Sequence, residues 1–93
     1  MHYKVLLSEK ALQDFNEIYD YIALDNPSIA ESYTNELRQH IRHLADFPYI
    51  GKENPKNKRR RLVKKPYIIN YSIDEKVSTI KILHIRHGAR QPL

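Results

Sequence analysis

The order of apolar and polar positions divides the chain into six segments. Tyr3 to Leu7 is a short apolar run and predicts a strand. From Ser8, a natural N-cap, Ala11, Phe15, Ile18, Tyr19 and Ile22 recur at steps of three and four, which predicts a helix to about Leu24. Asp14, Glu17 and Asp20 fall on its opposite, acidic side. Asp25-Asn26-Pro27 stops that helix and starts another, with Asn26 as N-cap and Pro27 in the first turn, where its missing N–H leaves nothing unpaired. Ala30, Tyr33, Leu37, Ile41 and Leu44 form the stripe of this second helix, which runs to about Asp46. After Phe47-Pro48-Tyr49-Ile50-Gly51 the period changes from helical to alternating. Lys52 to Lys58 reads as a mobile polar loop and Arg60 to Lys65 as a strand. Tyr67, Ile69, Tyr71 and Ile73 then alternate with Ile68, Asn70 and Ser72 in a further strand. Val77 to Arg90 opens as a nearly unbroken apolar run, Ile80, Ile82, Leu83 and Ile85, which predicts a strand buried on both faces. It closes on His87, Gly88 and Arg90.

The pattern predicts an α+β fold in one domain spanning residues 1–93. An N-terminal strand leads into an antiparallel two-helix hairpin and then a three-stranded antiparallel meander, with the first strand beside the last. The hairpin packs on one face of a four-stranded sheet. The other face stays open and carries Lys64, Asn70 and Lys81. Tyr67 and Tyr71 are core positions, and Tyr49 staples the loop to the end of the second helix. A chain of 93 residues buries roughly 60–65% of its unfolded surface, so a partner that adds to its stability would matter.

Charge changes the picture more than composition does. Residues 1–51 hold four Lys/Arg against eight Asp/Glu, and residues 52–93 hold twelve against three. Seven of the ten residues 56–65 are Lys or Arg. Such a bipolar chain points to an anionic partner, either nucleic acid or an acidic protein. There is no cysteine, which excludes disulfide and thiolate chemistry. No apolar run is long enough to cross a bilayer and no signal peptide opens the chain, so a cytoplasmic location is expected. His84 and His87 stand three apart on a strand and point to opposite faces, which excludes a metal pair. Simple alternation places His84 with Ile82 and Arg86.

The segment order, with LADFPYIG at 44–51, PYIINY at 66–71 and ILHIRHGARQP at 82–92, resembles the RelE/ParE superfamily of toxins from bacterial type II toxin–antitoxin systems. The resemblance covers nearly the whole chain. It implies a toxin, without a cofactor, silenced in a hetero-oligomer by a cognate antitoxin whose disordered, amphipathic or acidic tail folds around it. Two activities occur in the superfamily. RelE-like members cleave messenger RNA on the ribosome, and ParE-like members inhibit DNA gyrase.

Metal-free RNA cleavage needs a base, an acid and cations for the phosphate. RelE-like nucleases place an Arg in the third strand, and the position matching it here is Ile68, which can neither carry charge nor bond a phosphate. His87 matches the His or Arg at the end of the fourth strand, with Arg61 and Arg90 as phosphate contacts, so this set is incomplete. The HGARQP ending and PYIINY also resemble the ParE-like branch, which is favoured. Arg61, Lys64, Arg86, His87 and Arg90 are then the candidate target contacts. Phe15, Ile18, Ile22, Tyr33, Leu37, Arg59 and Arg60 are the candidate antitoxin contacts.

Overall fold

The computed structural model describes residues 2–88. The chain folds as β1 (Lys4–Leu7), α1 (Glu9–Ala23), α2 (Pro27–His43), β2 (Lys52–Glu53), β3 (Arg60–Lys64), β4 (Tyr67–Asp74), a single 3-10 turn (Glu75–Val77) and β5 (Thr79–His87). Both helices begin on the expected caps. The Ser8 hydroxyl accepts the Ala11 N–H at 3.0 Å, and the Asn26 side chain accepts the Ile29 N–H at 3.1 Å, each pairing an amide that a helix start otherwise leaves free. Three residues, Leu24 to Asn26, separate the helices, and α1 packs along α2.

The strand order is β1-β5-β4-β3-β2. β1 runs parallel to β5 and every other pairing is antiparallel, so the sheet is mixed. It has five strands where four were expected. The added strand is β2, whose Lys52 and Glu53 pair with Arg61 and Arg60 inside the stretch read as a mobile loop. Two polar residues carry no alternation that would mark them as a strand.

The hairpin covers one face of the sheet. Leu37, Leu44, Ile69, Tyr71, Ile80 and Ile82 lie fully buried between the layers. Burying each of the aliphatic members stabilises the fold by about 1.5–3 kcal/mol. The Tyr71 hydroxyl donates to the Pro48 carbonyl at 2.8 Å and accepts the Gly51 N–H at 2.9 Å, tying the chain that leaves α2 to the centre of the sheet. A Cβ at Gly51 would sit 2.5 Å from that hydroxyl and 2.8 Å from the Arg61 carbonyl, which is why only glycine fits.

Two features of β5 correct the simple alternation. First, Asn70 pairs with His84 but Tyr71 pairs with Ile82, so Leu83 is an extra residue, a bulge. Ile80 and Ile82 face the helices before it, and Ile85 and His87 face them after it, opposite Ile69 and Tyr67. His84 therefore does not share a face with Ile82. It turns with Arg86 to the open side, and the strand is not buried on both faces. Second, β1 ends against Ile82, and the start of α1 takes over the outer edge of β5. The Ser8 N–H donates to the Ile82 carbonyl at 3.0 Å, the Ser8 hydroxyl to the Leu83 carbonyl at 2.8 Å, and the Asp14 carboxylate accepts the buried Ile85 N–H at 2.9 Å. Asp14, read as part of an exposed acidic side, is only 6% exposed and is also paired with Lys10.

Replacing Asp14 by Ala strands the Ile85 N–H and should cost about 1–3 kcal/mol, read as a lower urea midpoint. Gly51→Ala should destabilise by a similar amount, roughly 1–3 kcal/mol, because backbone as well as the Tyr71 ring would have to move. Wild-type stability in either variant would contradict these roles.

Candidate functional site

Cross-strand partners share a face, so register alone lays out the open side of the sheet. Lys52, Arg61, Asn70 and His84 form one row across β2, β3, β4 and β5. Val63, Ile68 and Arg86 form the next. The loop between β2 and β3 rises beside them and is shaped by its own side chains. Asn54 accepts the Lys56 N–H at 2.9 Å, Asn57 accepts the Arg59 N–H at 3.0 Å, and Lys58 adopts a positive φ of 59°. Together these parts enclose a cleft of about 410 Å³, with Asn70, His84 and Arg86 from the sheet, Arg59 and Arg61 from β3 and its approach, and Lys52 and Glu53 from β2.

The cleft is strongly cationic, with Glu53 as its single carboxylate against Lys52 and four arginines. His84 is half-buried, and burial pushes its imidazole below the ordinary value of 6.5. Asp14 opposes that shift, while Arg86, Lys10 and Arg59 reinforce it. Two donors at the site, Asn70 Nδ2 and Arg86 Nη1, are buried with no hydrogen-bond partner within the chain. Unpaired buried donors are costly, and these two call for an acceptor. Chemically, the cleft can hold an anion with donors from several directions.

The candidate target contacts divide between two faces. Arg61 and Arg86 line the cleft. Lys64, expected on the open face, lies on the helix side, where it donates to Glu36 of α2 at 2.9 Å and sits 5.6 Å from the Tyr33 ring centroid. His87 also lies on the helix side, edge-on to Tyr67 with centroids 5.2 Å apart, in a second cleft of about 400 Å³ with Asp14, Glu17 and Tyr21. Arg90 lies outside the described residues. The sheet thus separates Arg61 from His87, and the acid–base set of His87, Arg61 and Arg90 is not brought together on one face.

The candidate antitoxin contacts are equally divided. Ile18 and Leu37 are buried in the core, while Phe15, Ile22 and Tyr33 pack half-exposed at its margin. The Tyr33 hydroxyl donates toward the Lys64 and Lys65 carbonyls, at 2.9 and 3.1 Å, and burial pushes its pKa up to about 12. Arg60 is engaged within the chain: it donates to the Gly51 carbonyl at 2.7 Å, and its guanidinium lies 5.0 Å from the Tyr49 ring centroid. Arg59 and Arg60 both line the cleft. Sequence reasoning left out Asn70 and His84 as site residues. The signal that could have found His84 is the doublet Ile82-Leu83, which breaks a period of two and re-phases everything after it.

No helix among the described residues is long and apolar enough to cross a membrane, and none of their His, Asp or Glu side chains gather as a metal site.

A helical hairpin across one face of a mixed sheet, with cations spread over the other, is the architecture of RelE/ParE superfamily toxins. The chain belongs to the family described as the ParE toxin of the type II toxin–antitoxin system parDE, whose model matches residues 5–92. Solved structures carry the same fold. One from the chromosomal ParDE system of P. aeruginosa is 22% identical, with 92% of this chain and 96% of that one covered and a TM-score of 0.76. One from the RelBE2 toxin–antitoxin complex of Mycobacterium tuberculosis is 20% identical, covering 94% and 99%, with a TM-score of 0.69. One from the archaeal RelE–RelB complex of Pyrococcus horikoshii is 18% identical, covering 98% and 100%, with a TM-score of 0.70. No curated protein sequence matches significantly.

The depressed His84 pKa has a measurable sign. The unfolded chain binds a proton at this residue near pH 6.5, and the folded chain binds it only at lower pH. Stability from His84 is therefore complete above that pH and falls as pH drops toward the folded value. The His84 ring resonances should titrate below 6.5, and a midpoint above that value would refute the assignment.

Proposed function

We propose that this toxin stops growth by disabling DNA gyrase through direct contact, and that a cognate cytoplasmic antitoxin holds it silent in a hetero-oligomer. The observation that carries the reading is the distribution of chemistry over the two faces. The open face presents guanidinium groups and apolar Ile68, while His87, the candidate acid or base, lies on the helix side in a separate cleft. That arrangement suits a surface that grips better than one that turns over substrate. Membership of the ParE toxin family supports the same branch.

In this reading the basic half steers the toxin toward an acidic surface and fixes its orientation, since charge complementarity raises on-rate and selects register. Arg61 and Arg86 offer planar, multi-donor groups suited to anionic oxygens. The antitoxin's apolar side chains would meet Phe15, Ile22 and Tyr33, where the hairpin leaves them half-covered, and its acidic residues would meet Arg59.

A second reading has one observation in its favour. His84 shares a cleft with Arg61 and Arg86, the residue types that ribosome-dependent cleavage of messenger RNA would need. Purified toxin in a gyrase supercoiling assay separates the two. We expect inhibition, weakened about tenfold or more by Arg61→Glu as one buried charge contact is reversed. Undiminished supercoiling at excess toxin, together with new codon-linked ends in primer extension after induction, would replace the first reading by the second.

A further inference from the structure

We propose that the open-face cleft is a binding site for a phosphate group, seated on Asn70, His84 and Arg86 and walled by Arg59 and Arg61. This rests on the open face being the toxin's working surface, and it names the chemistry that surface takes. The two unpaired buried groups, Asn70 Nδ2 and Arg86 Nη1, are both donors, so what completes them is an acceptor and not a cation. The surrounding charge is of one sign apart from Glu53.

The source of the donors chooses among anions. Asn70 comes from β4, His84 and Arg86 from β5, Arg61 from β3, and Arg59 from the loop before it. A carboxylate offers two oxygens in a single plane. A phosphate carries oxygens in every direction and uses donors arriving from separate strands. At about 410 Å³ the cleft exceeds a bare phosphate and leaves room for an attached sugar or base.

His84 makes occupancy proton-linked. It pairs with Asn70 across β4 and β5 and lies in the field of Asp14 and Lys10 from α1, Arg59 from the loop and Arg86 on its own strand. An anion among these cations offsets their field and favours the imidazolium, so phosphate and proton bind cooperatively.

The test is an NMR titration of the isotope-labelled full chain with inorganic phosphate, against sodium chloride at matched ionic strength. We expect saturable shifts at the Asn70 side-chain amide, the Arg86 guanidinium and the His84 ring, with the His84 midpoint moving to higher pH. Arg61→Gln, on an exposed strand position, should weaken binding about tenfold, in keeping with one lost charge-assisted contact. Equal shifts with chloride, or tighter binding of a poly-glutamate peptide than of phosphate, would overturn the proposal. Adenosine monophosphate and a short oligothymidylate identify the source. Tighter binding than phosphate marks a nucleic acid, and equal binding marks a free phosphate. The same preparation enters the supercoiling assay. A chain that blocks gyrase but ignores phosphate defeats this inference alone. One that binds phosphate but spares gyrase defeats only the choice of target.

Discussion

Between Ile82 and His84 the last strand carries one residue more than the strand beside it, and the direction of every side chain beyond that point follows from this. Strict alternation would leave Ile80 and Ile82 in the core but turn Ile85 outward with His87, and bring His84 and Arg86 under the hairpin. The bulge at Leu83 reverses that phase. It keeps Ile85 opposite Ile69 in the core and places His84 and Arg86 beside Asn70 and Ile68 on the open side. Removing it would bury a guanidinium and an imidazole against aliphatic side chains, at a cost the small core could not meet. Core packing and surface chemistry are thus set by the same extra residue.

A bulge is stable only if the backbone around it is paired, and the hairpin supplies the pairing. Where β1 ends, the outer edge of β5 would present bare amides and carbonyls. Ser8 and Asp14 meet that edge in place of a further strand. Ser8 has a double role, since the same hydroxyl caps α1 and donates to Leu83, the bulged residue itself. Helix start, sheet edge and bulge are one hydrogen-bonded unit. On the far side of the sheet Tyr71 does the comparable task, holding the segment between α2 and β2 against β4. The hairpin is clamped to the sheet at both ends of its span.

The elements with a strong period could be read from sequence, and so could their caps. Ser8, Asn26 and Pro27 sit where the pattern places them, β1 lies at the edge beside β5 as expected, and β4 alternates as Tyr67 to Ile73 predicts. What could not be read depends on partners distant in sequence. β2 is two polar residues whose only signal is the strand it meets. Asp14 looks like part of an acidic surface until Ile85, far along the chain, comes to lie against it. Lys64 changes face because it pairs with Tyr67, a core residue of β4, and one residue of register decides which side a lysine occupies. The site suffered the same way. Arg61 and Arg86 were identifiable from charge, but His84 was assigned to the wrong company and His87 to the wrong face, because alternation was carried unbroken through Ile82-Leu83.

The partition of charge between the two halves then acquires a structural meaning. The acidic half supplies the hairpin, and the basic half supplies most of the sheet, so charge separation along the sequence becomes charge separation across the layers. Some of the basic side chains are committed internally: Lys64 to Glu36, Arg60 to the Gly51 carbonyl and the Tyr49 ring. Among the described residues no ion pair joins Arg59, Arg61 or Arg86 to a carboxylate of the hairpin. A cationic surface backed by a layer of opposite sign repels a second copy less than a uniformly basic chain would, while its near field still attracts anions. The fold keeps this surface exposed without relying on a partner to hold it open.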